Sequence, residues 1–365
     1  MPLRYFRSKS EHFYGEGEQE LQSRATQFLQ ETGLPGVWIG VARHGQPYGA
    51  VCAGYADREA ARTATLSHRI RLGSISKPVA ASIYAALVEQ GILTFDTNLG
   101  ELSRLAGSLP DTVKSITARS LLTHTSGLPA DIQFPVDSKS LESRQYASLR
   151  RRSLLAQLRG PLTTPGKESY SNVGFLALAV LIDELTGKSF EEWLSLFIGT
   201  RAGLSSFGVG IPTSNETAPY ERSAAGITKV KRAPSPAYQY SPSGSIHATI
   251  ADLTAFGLCH LSGKGRLPLF QQASFLPQIH SRISSSSHTL GAWEREEHSN
   301  GAYLLHHSGS MGLGRGDSSL MYVVPQSGFV VTAYTNCWGE GKTGLSPIAD
   351  LRDKIANPIY HLLGS

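Results

Sequence analysis

Apolar positions recur along this chain with two different periods, and the change of period marks its organisation. Residues 1–16 carry no such period and predict a loose polar arm. Between Glu18 and Thr32, Leu21, Ala25 and Phe28 return every three or four residues, which predicts an amphipathic helix stopped by Gly33. Val37, Ile39 and Val41 then alternate, the chain turns near His44-Gly45, and it returns through Ala50 and Cys52 as a hairpin. After Ser74 the helical period resumes in Val79, Ile83, Ala86 and Leu87, ended by Gly91, with Pro78 tolerated in the first turn. A helix from about Val173 to Glu184 is apolar nearly all round, and Ser189-Phe190-Glu191-Glu192 forms a capping box ahead of WLSLFI. The stretch 201–240, rich in Gly, Pro, Ser and Thr, predicts a long loop region. SSLMYVV–PQSG–FVVTAYTN predicts a second hairpin, and Ile348, Leu351 and Ile355 a final helix that bends at Pro358.

Strands therefore fall at both ends of the chain, with helices between and no internal repeat. The expected class is α/β (α+β): an antiparallel sheet flanked by helices, with an inserted, mostly helical subdomain. The expected division is an arm at 1–16, an α/β region from 17–82 and 235–365, and a helical insertion at 83–234.

Composition narrows the function classes. Among 365 residues, 40% hydrophobic and 17% charged, a globular protein is expected rather than a disordered or fibrous one. The net charge is +5, but the basic residues, such as Arg150-Arg151-Arg152 and Lys229-Lys231-Arg232, lack the runs and interleaved aromatics of a nucleic-acid surface. They are expected to be solvated, with no nucleic-acid partner. Cys52, Cys259 and Cys337 are an odd number without ligand spacing, so neither a disulfide framework nor a metal site is expected. The N-terminal stretch has no apolar core of signal length, and the longest apolar run, 175–182, is too short to cross a bilayer. A cytoplasmic protein without a membrane partner is the expectation.

Three patterns carry chemistry. Ser74 and Lys77 lie one helical turn apart, at the start of an apolar helix. A lone S-x-x-K arises about once by chance in a chain this long. A serine at a helix start, however, meets converging N–H groups that can hold an oxyanion. Lys77 would enter the buried helix start, where desolvation lowers its pKa and makes it a proton acceptor. Tyr170 and Asn172, two residues apart before a buried helix, point the same way; a phenol near two cations can approach its phenolate, and a carboxamide can hold a substrate amide. His307-Ser308-Gly309-Ser310 precedes the last hairpin, and its glycine admits backbone close to a ligand.

Ser74-Ile75-Ser76-Lys77, Tyr170-Ser171-Asn172 and His307-Ser308-Gly309 resemble, in order and rough spacing, the SxxK, YxN and KTG or HxG motifs of class C β-lactamase and penicillin-binding-protein-like serine hydrolases. Residues 121–128 (LLTHTSGL), Ser241-Pro242-Ser243-Gly244 and Asp252-Leu253 are similar to that family too, and the likeness runs from about residue 36 to the C-terminus. The resemblance implies a β-lactamase-like fold with the site in the cleft between its two parts. It implies Ser74 as acylated nucleophile, with Lys77 and Tyr170 sharing its proton. Asn172 would orient Lys77 and the substrate, His307 and Gly309 would belong to the third motif, and His307 would supply electrostatics. The N–H groups of Ser74 and Ser310 would form the oxyanion hole. No cofactor or metal is implied, and the partner is a small-molecule acyl substrate: ester, amide or lactam.

Histidine at the third motif departs from the lysine of many relatives, and favours esterase-like or acyltransferase-like chemistry over a β-lactamase. The expected function is a hydrolase of ester or amide bonds, including β-lactam or D-amino acid derivatives. The alternatives are a transacylase that passes the acyl group to an amine or alcohol, and a non-catalytic binding relative. Lys342-Thr343-Gly344 is a competing third motif expected in a loop past the edge strand. NCWGEGKTG lacks the first glycine of a phosphate-binding loop, and no G-x-S-x-G elbow occurs. His124 is expected to be a structural hydrogen-bonder beneath the site, His306 to be excluded by the H-x-G spacing, and Arg315-Gly316-Asp317 to form a turn.

Overall fold

The computed structural model describes residues 17–105, 107–131, 144–158, 163–209, 215–231, 240–311, 316–339 and 345–364. The strands in chain order are β1 (Gly36–Arg43), β2 (Gln46–Asp57), β3 (Arg62–Thr63), β4 (Ile70–Arg71), β5 (Gly208–Val209), β6 (Tyr220–Ser223), β7 (Gly226–Lys229), β8 (Ile246–Ala248), β9 (Glu294–Glu297), β10 (Tyr303–Met311), β11 (Asp317–Val324), β12 (Phe329–Thr335) and β13 (Cys337–Gly339). Seven of them form one antiparallel sheet in the order β3-β2-β1-β12-β11-β10-β9. Its centre joins the two chain ends, with Val37 opposite Thr335 and Ala42 opposite Val330. The sheet is α/β in setting and antiparallel throughout, as expected.

Alternation divides the sheet's side chains between two cores. Val37, Ile39, Val41, Leu320, Tyr322, Val331 and Ala333 face the Glu18–Thr32 helix and the C-terminal helices, through Leu21, Phe28, Leu351 and Ile355. Trp38, Leu305, Met321, Val323, Val330 and Tyr334 face the larger core with the Ile250–Leu258 helix. Both faces are covered, so β11 and β12 are buried along their whole length. Gly33 ends the first helix in the left-handed conformation, its N–H returning to Leu29 O.

The larger core is built on two helices without a solvent face. In Ser76–Glu89 every residue from Ser76 to Leu87 is buried, and in Asn172–Thr186 every residue from Val173 to Ile182. Ser189 and Glu192 form the expected capping box ahead of Phe190–Trp193, and the chain continues in wider π turns to Arg201.

Two expectations need correction. Within 201–240, β6 and β7 form a hairpin whose edge pairs in parallel with β13, while β5 joins β4 and β8. YERS and GITK carry little apolar period, and only Tyr220 among them is buried, so the strand signal is lost. The Ser76–Glu89 helix runs unbroken through residue 83, and β6 pairs with β13 near the other end of the chain. At the C-terminus a π segment, Arg352–Ala356, stands directly before the Asn357–Leu363 helix that carries Pro358 in its first turn.

The second concerns Arg151, expected on a solvated surface. Its side chain is fully buried, held by Asp183 at 3.1 Å and Glu191 at 3.0 Å. The Arg150-Arg151-Arg152 run thus reads as surface only because its partners lie far away in the chain.

Candidate active site

A 3₁₀ turn, Gly73–Ile75, precedes the Ser76–Glu89 helix and carries Ser74. From Ile70 to Leu87 every residue is buried except Ser74, which is partly open. The turn is pressed against β10, where β9 has stopped pairing at His306 opposite Glu294. A Cβ on Gly309 would stand 2.1 Å from Leu72 O and 2.4 Å from Ser319 Oγ, and one on Gly73 would meet Gly309 and Ser310 N at 3.0 Å. Glycine at both positions is what lets the two backbones touch. Ser319 donates to Leu72 O at 2.8 Å, and Ile246 N–H donates to Ser76 Oγ at 3.2 Å, so the turn is tied on both sides.

Lys77 is wholly buried. Its Nζ lies 2.7 Å from Asn172 Oδ1, 2.7 Å from Ser243 O and 3.2 Å from Ser74 Oγ. Burial lowers its pKa to about 7, against the opposing charge of Asp131. An ammonium there donates to all three oxygens. A neutral amine has two N–H bonds, which Asn172 and Ser243 take, and its lone pair then accepts the Ser74 hydroxyl.

Tyr170 completes this face, with Lys77 Nζ 4.6 Å from its ring centre. It is hydrogen-bonded to Ser74, yet burial pushes its pKa up to about 12. The residue is 38% exposed, so protein surrounds a phenol that solvent still reaches. The expected approach to a phenolate is therefore corrected: desolvation, with the charge of Glu294, outweighs the effect of Ser74. Burial, then Lys77, holds His307 well below the usual imidazole range. Its Nδ1–H donates to Ser308 O at 2.7 Å, which leaves Nε2 as a buried acceptor without a hydrogen-bond partner among the described residues. His307 thus brings no positive charge near neutral pH. His306, its neighbour, leans on Glu296 at 3.1 Å.

The Tyr170-Ser171-Asn172 loop is built from below. His124, at φ +57°, accepts Ser171 N–H on Nδ1 at 3.0 Å, and its carbonyl accepts Ser169 N–H at 2.7 Å. Ser171 Oγ caps the following helix by accepting Gly174 N–H at 2.9 Å, and Asn172 N–H donates to Ala130 O at 2.8 Å. His124 is thus the expected support, its ring centre 4.4 Å from that of Tyr170. Beside it, Glu168 binds His288 Nδ1 at 2.6 Å and Ser287 N–H at 2.8 Å. His288 and Glu168 were not expected near the site, because nothing in the serine-rich 284–287 stretch signals them. The Ser243 carbonyl was also missed, although Ser241-Pro242-Ser243-Gly244 was noted. A cavity of about 730 Å³ near Arg104 and Lys188 contains none of these residues. Lys342-Thr343-Gly344 and Arg315 lie outside the described residues.

Known proteins resemble this chain over most of its length. The family model described as Beta-lactamase matches residues 21–352. Penicillin-binding protein 4 of Amycolatopsis lactamdurans is 24% identical over 341 residues, covering 86% of this chain and 84% of that protein. The D-amino acid amidase of Ochrobactrum anthropi SV3, solved with L-phenylalanine amide, superposes with a TM-score of 0.73 at 20% identity, over 94% of this chain and 99% of that one. EstCE1, a hydrolase with promiscuous acyltransferase activity, superposes with a TM-score of 0.71 at 21% identity, over 92% and 97%. At these identities the two solved structures carry the fold.

Proposed function

The chain belongs to the Beta-lactamase family, and on that premise we propose that it is a serine hydrolase of uncharged ester or amide substrates working through a Ser74 acyl-enzyme. The neutral Lys77 amine takes the Ser74 proton as Oγ attacks the substrate carbonyl carbon. The oxyanion forms against the N–H groups of Ser74 and Ser310. Tyr170, a phenol rather than a phenolate, gives its proton to the departing alcohol or amine and takes back the one that Lys77 removed from Ser74, which leaves the amine neutral again. Asn172 holds the Lys77 amine and meets the substrate's amide or ester side. Water then attacks the acyl-enzyme with the same groups as base, releasing a carboxylic acid and restoring Ser74. The observation that carries this reading is the Lys77 amine held by two acceptors at 2.7 Å with Ser74 at 3.2 Å.

Neutral His307 supports the choice of uncharged substrates. A fixed cation at that position would suit a carboxylate-bearing lactam or peptide end; an imidazole acceptor suits a hydroxyl or N–H donor. Transfer of the acyl group to an amine or alcohol is the second reading, favoured by the fold shared with EstCE1. Intact-protein mass spectrometry with a fluorophosphonate and with p-nitrophenyl esters tests the first reading. An adduct on the native chain that disappears in Ser74→Ala is expected; an adduct that survives Ser74→Ala would overturn it. Faster acyl-enzyme loss with added amine, yielding the amide, would favour transfer over hydrolysis.

A further inference from the structure

Behind Lys77 lies a second group of ionised side chains, remote from the reacting atoms. Arg151, on the Arg144–Leu155 helix, donates to Glu191 Oε1 at 3.0 Å, Glu191 Oε2 at 3.2 Å and Asp183 Oδ2 at 3.1 Å. It also donates to Ser241 Oγ at 3.1 Å, and Ser241 donates to Glu191 Oε1 at 2.5 Å. The side chains of Arg151, Asp183 and Glu191 are 0%, 6% and 2% exposed, and Ser241 is wholly buried.

Such a group is a poor source of stability, since desolvating three charges offsets most of their attraction, and apolar side chains of similar volume often serve as well. Its directionality is what apolar packing lacks. Ser241 opens the Ser241–Ser245 turn, in which Ser243, Gly244 and Ser245 N–H all return to Tyr240 O, at 3.0, 2.8 and 3.1 Å. That turn presents Ser243 O to Lys77. Asp183 lies on the helix that begins with Asn172, the other acceptor of Lys77, and its Oδ1 takes Phe190 N–H at 2.7 Å. The same buried guanidinium therefore grips both elements that hold the catalytic amine.

We propose that Arg151, Asp183, Glu191 and Ser241 are positioning residues: they fix the Ser241–Ser245 turn against the Asn172 helix and so set the two acceptors that aim Lys77 at Ser74. This rests on the Ser74 acyl-enzyme reading. A displacement of about 1 Å in such a support costs a reaction about a hundredfold in rate.

Ser241→Ala is the sharpest test, because it releases the turn and leaves the ion group in place; Glu191→Gln serves if that variant fails to fold. Stopped-flow acylation with a p-nitrophenyl ester separates burst amplitude, which counts intact sites, from the acylation rate constant. Full amplitude, an unchanged KM for acylation, and a rate constant lower by about tenfold to a hundredfold are expected. The variant's crystal structure should show the Lys77–Ser243 contact lengthened. An unchanged rate constant, with or without lost amplitude, overturns the proposal, as does a slower rate with that contact intact. If the native chain forms no adduct with any probe, the acyl-enzyme reading fails by itself. The crystal contact then decides the positioning alone: lost in Ser241→Ala supports it, kept overturns it.

Discussion

The two halves that meet at Ser74 are held by different physics. On the sheet side, β10 and β11 sit between two apolar cores, and the approach to the 3₁₀ turn depends on absent side chains at Gly73 and Gly309. On the helical side, Asn172 and Ser243 O are anchored near a buried guanidinium and two carboxylates. Apolar packing is non-directional and tolerates small slips; an ion group with five hydrogen bonds does not. The nucleophile needs room beside a strand, and shape supplies that. The amine needs two acceptors at fixed distance, and charge supplies that.

Breaking the amine has the largest effect. Lys77→Met should lower Ser74 acylation by about 10²–10⁴-fold with folding intact, measured by ester burst kinetics and circular dichroism. Next comes the ion group itself. Arg151→Ala should cost about 3–5 kcal/mol in denaturant unfolding, because two carboxylates stay buried without their cation. Replacing Arg151, Asp183 and Glu191 together by Met, Leu and Met should return stability to the native value or up to about 4 kcal/mol above it. Acylation should stay slow in that triple variant, and it is this split between stability and rate that sharpens the contrast.

On the sheet side, Gly309→Ala should cost about 1–3 kcal/mol and slow acylation, since its Cβ would meet Leu72 O at 2.1 Å. The smallest effect tests the two faces of β10. His306→Ala, which loses a contact with the exposed Glu296 and the edge of the Tyr322 ring, should leave acylation within about twofold. His307→Ala should raise KM for substrates that donate a hydrogen bond, as read from steady-state kinetics with paired ester substrates.

Much of this was legible in the chain because its signals are local. The Glu18–Thr32 helix, both hairpins and the Ser189 cap follow from neighbours a few residues apart. The three motifs were legible for the same reason, and the structure brings Ser74, Lys77, Tyr170 and Asn172 together, with His307 and Gly309 on the adjoining strand. What escaped lies at long range or on the backbone. Arg151 meets partners 32, 40 and 90 residues away, so its run of basic neighbours pointed to solvent. Ser243 contributes a carbonyl, which every residue type offers. The ionisation of Tyr170 depends on how much protein surrounds it, and neighbouring residue types do not reveal that desolvation.

The titration of Lys77 follows from the same burial. Its folded pKa, about 7, lies below the 10.5 of a free lysine, so the unfolded chain binds more protons between those values. This group's contribution to stability therefore rises with pH across that window and is least favourable below it. The acylation rate of Ser74 by a p-nitrophenyl ester, followed against pH, reads the same proton directly. It should climb tenfold per unit at acid pH, bend near the pKa of about 7 held by Lys77 and stay level above it. A bend at the ordinary lysine value, or the same profile in Lys77→Met, would contradict an amine kept neutral and aimed at Ser74.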